Sequence, residues 1–295
     1  MTLNLFLDIV FLTLVWAGVA GSWNFLAGFA GQFSLGHAAF MGIGAYTSTL
    51  LFADLGLTPW VGLLAGAAFA AALAAVLAAV SLRTRGPFFT LMTIAFAEIV
   101  RILVVYFKGV THGSEGVLLE QPPALASMIF ANKVPYVLLA VVYAALVIGA
   151  CVWTRRSRLG FFLLSVREDE DAARSLGVSA YATRIQATAI SAAMAAIGGS
   201  LFAQYTLFID PDSTLSFMLS VQPALIAIVG GLGNPFGPLL GALVVVPLEH
   251  LLRGWFGGGL AGLHGFIYGV AVILILLALP DGVAKLLPQR RPTRT

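Results

Sequence analysis

Residues able to do chemistry are scarce in this chain, and most of them stand together. Between Thr154 and Arg184, TRRSRLGFFLLSVREDEDAARSLGVSAYATR gathers Arg155, Arg156, Arg158, Arg167, Arg174 and Arg184 with Glu168, Asp169, Glu170 and Asp171, although only 10% of all residues are charged. Charge so concentrated belongs in water, and a charged loop inside an apolar chain reads as a docking surface for a partner. Acidic residues at the start of VREDEDAARSLGV complement the positive end of a helix macrodipole, and Gly177 falls where a C-terminal cap is expected. Arg174 follows Glu170 by four residues and Asp171 by three, the spacing at which helical side chains pair. One short solvated helix with Glu168, Asp169, Glu170 and Asp171 in its first turn is therefore expected.

Elsewhere the ionisable residues are isolated. Glu98 and Arg101 sit three apart in an apolar run, hence on one face of a membrane helix. Unpaired charge at that depth is expensive, so the two pair with each other or line a wet cavity; a wall of a translocation path and an internal ion pair pinning two helices both fit. Ser34 and His37, in GQFSLGHAAF, could face the same path or serve packing through a hydrogen bond. GGLGNPFG lacks the lysine and Ser/Thr of a phosphate-binding loop, so nucleotide binding by this chain is not expected, and its glycines suit a helix break or a tight turn. Glu249 and Arg253 have the spacing of an ion pair, and no metal site is expected around His250. Cys151, the single cysteine, has no partner for an internal disulfide. A membrane enzyme would need acids, bases or ligands facing one cavity, and four scattered histidines with one cysteine do not supply them.

The elements that must position these residues follow from composition. Sixty per cent of residues are hydrophobic and the mean hydropathy is +0.97, outside the range of soluble domains. The expected fold is an all-α integral membrane protein, a bundle of about 8–10 transmembrane or partly broken helices, each needing roughly 20 apolar residues to cross. Residues 1–295 read as one transmembrane domain, with 154–184 as its polar loop. The expected segments are Leu3–Phe29, His37–Leu55, Pro59–Leu82, Pro87–Phe107, Val134–Trp153, Ile185–Phe208, Phe217–Gly233, Gly237–Arg253 and Gly265–Leu279, the first read as a membrane helix and not a cleaved signal peptide. IDPDSTLS reads as a turn, and GQFSLGHAAFMGIGAY as a possible break. Small residues from Ala192 to Ser200 let helix backbones approach closely. Alternation from a cytoplasmic C-terminus puts Arg83, Arg85, the charged loop, Lys285, Arg290, Arg291 and Arg294 inside, and Lys108, Lys133 and Arg253 outside. That is the asymmetry of the positive-inside rule; it also explains the basic balance without nucleic acid as a partner. The N-terminus is then expected outside.

Asp171-Ala172-Ala173, followed after three residues by Gly177, resembles the coupling loop of ATP-binding-cassette importer permeases. The resemblance extends through GQFSLGHAAFMGIGAYTSTLL, TLMTIAFAEIVRIL, RSRLGFFLLSVREDEDAARSLGV and AIVGGLGNPFGPLLGA, four blocks in order that are similar to the M-type branched-chain amino acid permeases. It implies that Glu168, Asp169, Glu170, Asp171, Ala172, Ala173 and Gly177 form a cytoplasmic coupling helix whose small alanines insert against an ATPase. It further implies a bacterial inner-membrane importer with a second homologous permease subunit, two ATPase subunits carrying ATP and magnesium, and an extracytoplasmic binding protein. No cofactor is expected in this chain itself. The sequence departs from the usual loop downstream, where Ala187, Ala189 and Ile190 replace an apolar residue and Leu-Pro. An ion-coupled secondary transporter of a small polar solute is the alternative, with Glu98 as its thin support.

Overall fold

The computed structural model describes residues 3–81, 88–119, 121–256 and 262–286. The sequence-predicted basic residues Arg83, Arg85, Arg290, Arg291 and Arg294 lie outside them. Helix α1 (Leu3–Asn24) runs into a π-helical turn, Phe25–Phe29, and Gly31 then takes a positive φ before α2 (His37–Ala53) begins. The chain continues through α3 (Pro59–Ser81), α4 (Phe88–Tyr106) and the single-turn α5 (Lys108–Thr111). After a long connection come α6 (Val134–Arg156), α7 (Arg158–Glu168), α8 (Glu170–Ser175) and α9 (Ala180–Thr206). Helices α10 (Pro211–Leu215), α11 (Phe217–Gly230), α12 (Gly237–Phe256) and α13 (Leu263–Ala278) complete the order.

Eight of the described helical stretches are long and apolar enough to cross a membrane. This is a multi-pass, all-α membrane protein, and the only strands among the described residues are Val117–Leu118 (β1) and Phe208–Ile209 (β2), paired antiparallel. Helix α2 is a ninth segment; at 17 residues it falls short of the roughly 20 that a full crossing needs, and α3 and α9 bury almost its whole length. Its shortness has a visible cause: the chain turns back through Gly31 and an extended stretch inside the protein, where neighbouring helices satisfy the backbone that a helix would otherwise satisfy itself.

Helix α9 is the hub, packed on α1, α2, α3 and α6. Lipid tails are as apolar as leucine, so helices associate in a membrane by close approach and hydrogen bonding more than by escape from water. The small residues of α9 serve that approach: a Cβ on Gly199 would stand 1.9 Å from the Met41 carbonyl oxygen, and one on Gly44 would stand 2.0 Å from that of Ala196. Ser200 Oγ donates to the Gly44 carbonyl at 3.0 Å within the same seam.

Alternation of the segments gives the bundle two ends. At one lie the Phe25–Leu35 turn, the start of α4, α7 with α8, the turn between α11 and α12, and the residues after α13. Thr90 Oγ1 donates to Phe33 O at 2.8 Å there, and Tyr181 Oη to Ala79 O at 3.0 Å. At the other end Lys133 Nζ donates to Asp8 at 2.5 and 2.6 Å, Tyr205 Oη donates to the same carboxylate, and β1 meets β2. Arg155, Arg156, Arg158, Arg167, Arg174, Arg184 and Lys285 fall at the first end, and Lys108, Lys133 and Arg253 at the second. The stretch expected as a plain turn, IDPDSTLS, contains α10, because Pro211 fits a first helical turn and the Asp210 carboxylate accepts from the Asp212 and Ser213 amides at 3.2 and 3.3 Å.

The seam makes a prediction. Gly199→Val must push two backbones apart and should cost about 1–3 kcal/mol or more by overpacking. Gly149→Ala, where an added Cβ meets nothing within 4 Å, should be neutral or gain up to about 1 kcal/mol from helix propensity. Thermal unfolding of the two variants in detergent reads the difference; equal midpoints would refute the seam's role.

Candidate functional site

The charged loop folds as two helices, where one was expected. Asp169 adopts extended backbone (φ −152°, ψ 108°) between them, and its carboxylate accepts from the amides of Asp171 and Ala172, both at 3.0 Å. An aspartate offered two orphan amides becomes an N-cap in preference to a mid-helix residue. Glu168 therefore ends α7, and only Glu170 and Asp171 occupy the first turn of α8. Gly177, at φ +84°, closes α8 in the left-handed conformation that glycine adopts without penalty, and Val178 N then donates to Ala173 O at 3.0 Å.

Burial divides the sequence-predicted coupling residues. Ala173 is 2% exposed, packed with Val166 and Ala180 against the start of α9. Glu170 is half-buried beneath α8, where it pairs with Arg174 at 2.5 Å and Arg184 at 2.8 Å. Glu168, Asp169, Asp171, Ala172 and Gly177 are exposed, and beside them Leu176 stands 83% exposed at the tip. Sequence reasoning passed over Leu176 because an isolated leucine carries no signal until its neighbours are known to leave it bare. Val178 to Arg184 is also resolved as a local structure: Ser179 caps α9, accepting from Ala182 N at 3.3 Å, and Arg184 reaches back to Glu170.

Arg167 ties this loop to the bundle. Its Nη1 donates to the Gly28 carbonyl in the π-helical turn, a stretch whose irregular hydrogen bonding leaves a carbonyl available. The same turn is joined to GGLGNPFG by Asn24: Gly233 N donates to Asn24 Oδ1 at 2.8 Å, and Asn24 Nδ2 donates to Asn234 O at 3.0 Å. Asn24 is fully buried, and its signal in the sequence was an amide near the end of an apolar run, a position that demands partners.

The residues proposed from sequence for a path separate into two places. His37 is fully buried between α2 and α9, with Nε2 3.0 Å from Ser191 Oγ and Nδ1 3.1 Å from Ser34 Oγ. Ser191 spends its own proton on the Ser22 carbonyl at 2.6 Å, so its oxygen accepts from Nε2–H, and Ser34 donates to Nδ1. A neutral imidazole with both nitrogens satisfied thus joins α1, α2 and α9. Glu98 and Arg101 lie on the outer surface of α4, paired at 2.8 Å, and Arg101 Nη1 also reaches Asp212 of α10 at 3.4 Å. An apolar cavity of about 270 Å³ lies between α2, α3 and α4, reached from α4 by Val100, Leu103, Val104 and Phe107. Glu249 accepts from Gln222 Nε2 at 3.1 Å, while Arg253 stands 4.0 Å away. Among the described residues no group of His, Cys, Asp and Glu could hold a metal ion.

Comparison with known proteins gives these features a setting. A family model described as branched-chain amino acid transport system / permease component matches residues 5–277. The high-affinity branched-chain amino acid transport system permease protein LivM of Escherichia coli (strain K12) is 32% identical, over 97% of this chain and 70% of that protein. The nucleoside ABC transporter permease protein NupC of Lactococcus lactis is 26% identical, over 72% of this chain and 71% of that protein. The high-affinity permease protein LivH of Salmonella typhimurium is 29% identical, over 45% of this chain and 41% of that protein. No solved structure matches the chain.

The His37 arrangement predicts a stability effect. His37→Leu leaves the Ser34 hydroxyl without its acceptor and should cost about 1–3 kcal/mol per stranded buried group. Thermal unfolding in detergent checks it; an unchanged midpoint would show that the imidazole holds nothing together.

Proposed function

The chain belongs to the branched-chain amino acid transport system permease components, and we propose from that premise that it is one membrane subunit of an importer that moves leucine, isoleucine and valine into the cytoplasm. A second, homologous permease completes the membrane part; the similarity to LivH permeases as well as LivM supports this pairing. Two ATPase subunits carry ATP and magnesium, and an extracytoplasmic binding protein delivers the amino acid. The end that collects Arg155, Arg156, Arg158, Arg167, Arg174, Arg184 and Lys285 is cytoplasmic, as the distribution of basic residues favours.

One observation carries the mechanism: an exposed apolar tip, Leu176, sits on a short capped helix whose underside is fastened to the hub. Leu176 and Ala172 enter the ATPase surface, and Glu168, Asp169 and Asp171 form a charged rim around them, the arrangement typical of interface anchors. Displacement of α8 is passed to α9 by the Val166, Ala173 and Ala180 contact and by the Glu170–Arg184 ion pair. It reaches α1 through Arg167 and Gly28, and the α11–α12 turn through Asn24. ATP-driven closure of the partners thereby rocks α9 and α1, exposing the path alternately to each side.

Reconstitution in vesicles with all partners tests this. Leu176→Asp should lower ATP-driven leucine uptake by about tenfold or more, the loss typical of an interface hot spot, with the amount of folded permease unchanged. Arg167→Gln should lower uptake per ATP hydrolysed, because docking survives and transmission does not. Normal uptake in both would overturn the coupling role, and uptake that follows an ion gradient with ATP clamped would replace the importer by an ion-coupled carrier. Ala173→Glu should behave differently, destabilising the loop by burying a carboxylate against Val166 and Ala180.

A further inference from the structure

The outer face of α4 carries charge that hydrocarbon would not tolerate. Glu98 and Arg101 lie well inside a membrane-spanning helix, yet their side chains are 51% and 35% exposed, and Asp212 beside them is 87% exposed. Charged groups at such positions face a water-filled space or another protein, because lipid exposure is expensive even for a pair.

The hydrogen bonds show what remains available. Glu98 occupies the side edge of the guanidinium, accepting from Nε at 3.2 Å on each oxygen and from Nη2 at 2.8 Å. Among the described residues, the end edge, Nη1 with Nη2, has only the long 3.4 Å contact to Asp212. A guanidinium edge of this kind takes a carboxylate through two parallel N–H bonds. A carboxylate bound there lies next to Asp212, whose own carboxylate would then accept from an ammonium group. We infer that Arg101 and Asp212 form a subsite for the zwitterionic head of an α-amino acid, with Glu98 as the positioning residue that fixes the guanidinium plane. The inference rests on the importer reading above and assigns residues to its path. A zwitterionic phospholipid headgroup offers similar chemistry, phosphate to Arg101 and ammonium to Asp212, and must be distinguished from the amino acid.

The experiment uses the complete reconstituted transporter with Cys151→Ala as background and Ser213→Cys as a reporter beside Asp212. The new thiol is labelled with a membrane-impermeant reagent in the presence of leucine or leucinamide. Leucine at about ten times its half-saturating concentration should slow labelling about tenfold, in proportion to the fraction of sites left free, and leucinamide should not, because it has no carboxylate. Arg101→Gln and Asp212→Asn should each abolish the protection, and Arg101→Lys should fail to restore it, since an ammonium lacks the two-pronged edge. Unprotected labelling, or protection that persists in Arg101→Gln, would overturn the subsite. So would protection without leucine in phosphatidylethanolamine vesicles that disappears in phosphatidylcholine, which assigns the site to lipid. ATP-driven leucine uptake by the parent complex is measured alongside: its absence would overturn the importer reading, whereas uptake without protection would overturn only the subsite.

Discussion

The bundle depends on the contact between α2 and α9, where two backbones run together with almost no side chain between them. Gly44 against Ala196 and Gly199 against Met41 leave no room for a Cβ. In a membrane such contacts carry much of the association energy, because dispersion at short range replaces the hydrophobic effect. The consequence is mechanical as well as energetic. A close-packed seam does not deform gradually, so α2 and α9 move as one body when either is displaced.

That body is connected to each end of the molecule by polar contacts of different kinds. His37, Ser34, Ser191 and Ser22 join it to α1 through neutral hydrogen bonds in a fully buried place, where charge would be costly. At the basic end Glu170, Arg184 and Arg167 make charged contacts, in a region open to water. At the opposite end Asp8, Lys133 and Tyr205 clasp the start of α1, the entry to α6 and the last turn of α9. Neutral stitches inside and ionic ones at the rims are the distribution that dielectric surroundings favour.

The helices were legible in sequence because apolar runs of membrane length, separated by polar or Gly/Pro stretches, leave few other structures. The charged loop was legible as a place and misread as a shape. Asp169 looked like one of four acids in a first turn, but its competition for backbone amides splits the segment into α7 and α8. Ala172 and Ala173 looked equivalent, and the turn of α8 puts one outside and the other against α9. Ser34 and His37, which the sequence offers beside Glu98 and Arg101, lie in a buried seam, apart from the ion pair on the outer face of α4.

Sequence by itself determined the class of protein, its membrane segments, the end that collects basic residues and the family resemblance. All of these rest on composition, on short-range periodicity or on order along the chain, which need no knowledge of neighbours. Tertiary structure decided which polar groups are satisfied and which are available. Arg101 meets Asp212 across 111 positions, Asn24 meets Gly233 across 209, and Leu176 is left bare, because each outcome depends on which helices stand side by side. Spacing along one helix can pair Glu98 with Arg101; only packing could leave one edge of that guanidinium open.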